Sequence, residues 1–177
     1  VFFLVPVGRG EVLGGLQAHE AERIFDLLYR TQKKARFIVK VTEAPHYRRH
    51  VAQRERHAAG ERGRPTDSVA MPDLLTTSEG PGHTVGLAPR GFLPQSAGNV
   101  RSRELADAYR NSEIFRALRD HDRLEGRCGR CEYRRICGGS RSRAFALTGN
   151  LFATDPWCVY EPRSADGPRP QEGSPCP

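Results

Sequence analysis

Four cysteines, Cys128, Cys131, Cys137 and Cys158, constrain this chain more than any other feature; they read Cys-x2-Cys-x5-Cys-x20-Cys. Thiolates are soft, charge-donating ligands, and four that converge hold either zinc or an iron–sulfur centre. The first pair, three residues apart, can chelate one centre from a tight turn, while the other two close the cage from farther along the chain. A 4Fe–4S cube would take one thiolate per iron. A zinc ribbon usually carries two Cys-x2-Cys knuckles, and only one is present here. Spacing alone leaves cluster and zinc open, with disulfides or free thiols as the third possibility.

The cysteine total of five is odd, which fits a secreted disulfide framework poorly. The fifth, Cys176, stands in the Pro/Gly tail GPRPQEGSPCP and reads as a bystander. A reducing cytosol keeps thiols available for metal, so a cytoplasmic setting is expected. No stretch approaches the roughly 18 apolar residues needed to cross a bilayer, so no membrane association is expected. The opening VFFLVPV has no basic residues before it and no small-residue cleavage site after it, so it is a poor signal peptide. It reads instead as a buried strand, and a chain that starts within a strand suggests a piece of something longer or a processed product.

The formal net charge of +7 is compatible with nucleic acid, an anionic surface or an acidic peptide. Arginine is spread along most of the sequence rather than gathered in one stripe. The basic helix expected over residues 46–58 lacks the interleaved aromatics that stack on bases, which disfavours nucleic acid as a partner.

Residues 1–7 and 36–42 alternate like strands, and 18–33 has a helical period with Ile24, Leu27 and Leu28 on one face. Strand, helix, strand at this spacing is a βαβ unit with parallel strands. Residues 60–82, rich in Gly, Pro, Ser and Thr, read as a flexible connector. A short strand is expected at 83–88. Ser102 and Ser112 are expected as helix N-caps, with Leu105 and Tyr109 on the face of the first helix and Ile114, Phe115 and Leu118 on that of the second. A further short helix over 140–147 ends at Gly149, in the role of a C′ glycine.

Around the cysteines, Gly138-Gly139 suits close backbone approach to a cluster, though a plain turn explains it as well. Arg134, Arg135, Arg141 and Arg143 can offset the charge of a tetrathiolate centre or grip a carboxylate, but a solvated face is the commoner fate of such residues. His46 with Glu43 nearby is a pair able to move protons; lone histidines are more often structural, and neither enters the expected site.

The run Cys128-Gly-Arg-Cys131-Glu-Tyr-Arg-Arg-Ile-Cys137-Gly-Gly, then Thr148-Gly-Asn and Asp155-Pro-Trp-Cys158, resembles the C-terminal auxiliary-cluster region of radical SAM proteins with SPASM or twitch extensions. The similarity is to the subgroup related to haem-biosynthesis and peptide-modifying enzymes. It extends loosely upstream, through GFLPQSAGNVR and Thr42-Glu-Ala-Pro-His-Tyr-Arg-Arg49, to the opening strand. The resemblance implies an α/β (α+β) chain: the end of a partial βα barrel over 1–59, a connector over 60–82, a small α-rich, loop-rich iron–sulfur domain over 83–162, and a disordered tail over 163–177. It implies that Cys128, Cys131, Cys137 and Cys158 hold one auxiliary 4Fe–4S cluster, as cofactor-binding and metal-ligating residues alike. Full SPASM domains carry further cysteines, where this chain has Arg141 and, upstream, Pro89 and Arg90. The Cys-x3-Cys-x2-Cys signature for S-adenosylmethionine cleavage is absent from the sequence, so that cofactor is expected only in the full-length enzyme. No catalytic residue is assigned, and whether this chain is enzymatic by itself stays open. Expected partners are a peptide or tetrapyrrole-like substrate and an electron-donor protein. A four-cysteine zinc module that binds nucleic acid, or a non-functional gene fragment, is the alternative.

Overall fold

The computed structural model describes residues 1–11, 13, 15–60, 93, 97, 99 and 101–163. Six α-helices follow one another among them: α1 (Ala18–Lys34), α2 (His46–Ala58), α3 (Leu105–Asn111), α4 (Glu113–Arg119), the single turn α5 (Gly126–Gly129), and α6 (Arg141–Thr148). The described part is therefore helix-rich. The expected connector beyond Gly60, the strand at 83–88 and the tail from 164 lie outside the described residues.

Ala21, Phe25, Leu28 and Gln32 recur every three to four residues along α1 and form its buried stripe. At its start the Gln17 backbone N–H donates to Glu20 Oε2 at 2.7 Å, and Lys33 and Lys34 occupy the last turn, where the helix dipole favours cations. The basic helix α2 does not lie on the surface as its composition suggests: His46 through Ala52 are all buried. Acids on α1 make this possible. Glu22 pairs with Arg49 and accepts from His50, and Asp26 pairs with Arg54. With those charges matched, Phe25, Tyr47 and Val51 pack together with Phe3, Val41 and Trp157 in the main core. A second, smaller core joins Leu93, Leu118 and Leu151, with Ile114, Phe145 and Phe152 against them.

The two expected strands do pair in parallel, but only through one bridge, Phe2 to Thr42. Phe3 N–H donates to Thr42 O at 3.0 Å and Thr42 N–H to Val1 O at 2.9 Å. Past the bridge the ladder stops for a visible reason: Glu43 adopts φ +61°, which turns the chain out of extended geometry. Farther along the first segment, Val7 N–H folds back on Val5 O at 2.9 Å. Phe37 and Ile38, read as strand residues, are 68% and 73% exposed.

The later helices correct the expected caps. Ser102 does not cap α3; its N–H and its hydroxyl both donate to Asn99 O, and Glu104 precedes the helix. Ser112 precedes α4 as expected but makes no side-chain cap. Leu105 is exposed, and Ala108 is the buried residue of α3. Phe115 and Leu118 are buried as expected. Ser140 caps α6 by accepting from Arg143 N–H, and Gly149 ends it at φ +73°.

Candidate metal centre

Each cysteine sits on a short turn rather than inside a long element. Cys128 lies in α5, where Gly129 is required: a Cβ there would stand 2.1 Å from Leu124 O. Cys131 follows as the chain leaves that turn, its N–H donating to Cys128 O at 3.4 Å. Cys137 ends a series of turns and is followed by Gly138 and Gly139, both at positive φ. Cys158 closes the Asp155-Pro-Trp-Cys turn, its N–H donating to Asp155 O at 3.1 Å. The four are free thiols and line one pocket, with His46, Arg49, Gly139 and Tyr160 in its walls. Among the described residues, no three His, Cys, Asp or Glu side chains crowd together tightly enough to hold a single ion. The cysteines instead surround a space.

The Tyr133 backbone N–H donates to Cys131 Sγ at 3.4 Å, two residues back, and Arg141 Nη2 donates to Cys128 Sγ at 3.7 Å. Donors aimed at a sulfur stabilise thiolate over thiol. Burial works the other way. It pushes Cys131 up to about 12 despite the Tyr133 N–H, and raises Cys137 and Cys158 despite the nearby Arg49 charge. These three thiols therefore become thiolates readily in this pocket only around a positively charged occupant that displaces their protons. Either zinc or a 4Fe–4S cube with four thiolates leaves a net dianion, and the buried Arg49 and Arg141 face it with two positive charges.

Behind the cysteines lies a buried polar network. Asp155, fully enclosed, accepts from Ser140 N–H at 2.7 Å and Trp157 N–H at 3.0 Å, and pairs with Arg143 at 3.1 Å. His46 Nε2 stands 3.1 Å from the same carboxylate. Burial alone would raise the Asp155 carboxyl; His46, Arg143 and the Trp157 N–H outweigh it and hold the group well below the carboxylate range. Arg143 also donates to Glu43 O at 2.5 Å and lies 3.9 Å over the Trp157 ring. Gly139 is locked between these layers, since a Cβ would meet Asp155 Cβ at 2.9 Å and the Arg141 guanidinium at 2.6 Å.

The structure brings all four expected ligands to one pocket. It corrects the solvated-face reading for Arg141 and Arg143, which are buried, whereas Arg134 is partly exposed and Arg135 exposed. Glu43 and His46, left out of the expected site, both take part: Ser140 Oγ donates to Glu43 Oε2 at 3.2 Å, and His46 lines the pocket. Asp155 was missed. The signal was available in its place in Asp-Pro-Trp-Cys, but its partners lie far off in sequence.

No protein-family model and no solved structure matches this chain. Among curated proteins, the AdoMet-dependent heme synthase of Methanosarcina barkeri is 38% identical over 166 residues, covering 92% of this chain and 48% of that protein. The AdoMet-dependent heme synthase of Oleidesulfovibrio alaskensis is 38% identical over 174 residues, 92% of this chain and 44% of its own length. The PqqA peptide cyclase of Rhizobium meliloti is 38% identical over 65 residues, 36% of this chain and 17% of that protein. The chain spans about half the length of the heme synthases it matches. It is a relative of the AdoMet-dependent heme synthases and, over a shorter stretch, of the PqqA peptide cyclases, both radical SAM enzymes.

Proposed function

We propose that this chain holds the auxiliary iron–sulfur centre of a radical SAM enzyme, with Cys128, Cys131, Cys137 and Cys158 as the four ligands of one 4Fe–4S cluster. The observation that carries the proposal is the donor set: four free thiols around one pocket, with N–H donors on Cys128 and Cys131 and with Arg49 and Arg141 buried beside them. Sulfur-directed N–H groups are a principal means by which proteins set the potential of such centres. When bound, the cluster supplies one-electron transfer. The chain's own residues shape, neutralise and partly desolvate its seat, and hold it against the main core through Arg143 and Trp157.

The substrate is proposed to be tetrapyrrole-like or a peptide, from the names of the relatives. Electron relay or substrate positioning is the proposed role, with an electron-donor protein as partner and a reducing cytosol as setting. Residues 1–59 are proposed as the last βα part of the barrel, and 83–162 as the SPASM- or twitch-like unit. With four protein thiolates no iron would be open to chelate S-adenosylmethionine, and the sequence has no Cys-x3-Cys-x2-Cys. That cofactor is therefore proposed for the full-length enzyme only.

The test is anaerobic reconstitution with iron and sulfide. About four irons and four sulfides per chain, broad visible absorption and a paramagnetic signal on reduction are expected. A colourless protein that takes one zinc and no sulfide would replace this reading with a structural zinc site.

A further inference from the structure

A second cavity, about 510 Å³ in volume, opens beside the last turns of α2. Pockets that hold small organic molecules are of this size, roughly 300–1,000 Å³. Its lining carries an excess of positive charge: Arg54 and Arg56 from α2 and Arg163 from the chain past Cys158, against the single carboxylate of Glu22. That carboxylate is already matched by Arg49 and His50. Arg54 has only a share of Asp26, which also pairs with Arg30 at 2.5 Å. Arg163 forms no ion pair with a described residue. The cavity also shares structure with the cysteine pocket. Tyr133 lines it and donates its backbone N–H to Cys131 Sγ at 3.4 Å. Gln53 lines it as well and accepts from Arg49 Nη1, in the wall of the cysteine pocket, at 2.7 Å.

Like charges gathered around an open cavity repel one another, and an anion between them relieves that cost. Arginine forks match carboxylates and phosphates alike. Compact phosphate sites commonly add the N-terminus of a helix. Here Arg56 stands in the last turn of α2, where the helix dipole opposes a concentrated negative charge. Arginines on two separate segments suit carboxylates spaced apart on one molecule. We propose that this cavity binds a small organic polycarboxylate, gripped by Arg54, Arg56 and Arg163 next to the cysteine centre. The inference does not depend on what the cysteines hold.

The test is calorimetric titration of the full chain, metal-free and reconstituted, with tricarballylate and with pyrophosphate at constant ionic strength. Arg56→Gln and Arg163→Gln remove cavity charges, and Arg36→Gln removes one from an exposed residue outside the cavity. Expected are one tricarballylate per chain, bound more tightly than pyrophosphate, a loss of affinity of roughly tenfold in each cavity variant, and no change in Arg36→Gln. Tricarballylate should also slow phenylglyoxal modification of Arg56 and Arg163, but not of Arg36, as read by mass spectrometry on the parent protein. That protection decides the matter even where a variant fails to fold. No saturable binding, an equal loss in Arg36→Gln, or unprotected Arg56 and Arg163 would overturn the site. Tighter binding of pyrophosphate would overturn its assignment to carboxylates. A protein that takes up no iron and sulfide yet binds tricarballylate would sink the cluster reading and leave this one standing.

Discussion

At the scale of single residues, the centre depends on groups that cannot be exchanged for near equivalents. Replacing Cys131 by Ser removes a proposed ligand and its Tyr133 N–H contact together, so bound iron should fall by roughly tenfold or more. Cys176→Ser should leave iron content unchanged, and iron analysis on the two variants checks both. Gly139 is constrained twice, by φ +67° and by the closeness of Asp155 and Arg141. Gly139→Ala should cost about 2–4 kcal/mol and lower iron occupancy. Gly149, at φ +73° with nothing within 4 Å of a would-be Cβ, is the control: Gly149→Ala should cost about 1 kcal/mol in urea unfolding and keep its iron. The cysteines and Gly149 were legible in the sequence because spacing and punctuation are local signals. Asp155, Arg141 and Arg143 were not. Arginines in a basic chain read as solvated, and nothing in the local text says that Arg143 will meet Glu43, one hundred positions away.

At the scale of elements, the positions of the helices were read well, but Leu27 and Leu105, placed on helix faces, are exposed, and the strands were overextended. The buried stripe of α1 is periodic and its ends are marked, so bounds of 18–33 fall within a residue of the observed helix. Burial of α2 could not be read from its composition, because its apolar face is narrow and its cations are matched only by acids on another helix. Strand pairing, correct in direction, was overextended: alternation in 36–42 is real, but the turn at Glu43 follows the single bridge at once. The α1–α2 pairing has a pH signature. Burial would raise the Glu22 carboxyl, but the His50 hydrogen bond and the Arg49 charge bring it below its ordinary value. A depressed carboxyl contributes stability that is present above its unfolded value and lost as pH falls through the folded one. Urea midpoints should hold near pH 6–7 and fall below about pH 4. Glu22→Gln should be less stable at neutral pH and lose less on acidification; an unchanged pH slope would show that this carboxylate does not carry the effect.

At the scale of the molecule, the cysteine-bearing turns are not an appendage to the helical pair at the start of the chain. Trp157, next to Cys158, packs in the core with Phe3, Phe25 and Tyr47, and Arg143 bridges the Glu43 carbonyl to Asp155. Filling the pocket is therefore coupled to the stability of the main core, as binding to the folded state alone requires. Reconstituted protein should unfold at higher temperature than metal-free protein, by several degrees. Equal melting temperatures would mean that the turns close independently of the core.

That coupling gives the molecule an optical gauge of its own. The sequence contains a single indole, one peptide bond from Cys158 and pressed under a guanidinium in the interior. Its fluorescence should dim as iron and sulfide enter, because a visible chromophore at that range drains the excited state, and should shift to the red only when the core opens. One fluorophore thus reports loading by intensity and unfolding by colour, with no label added.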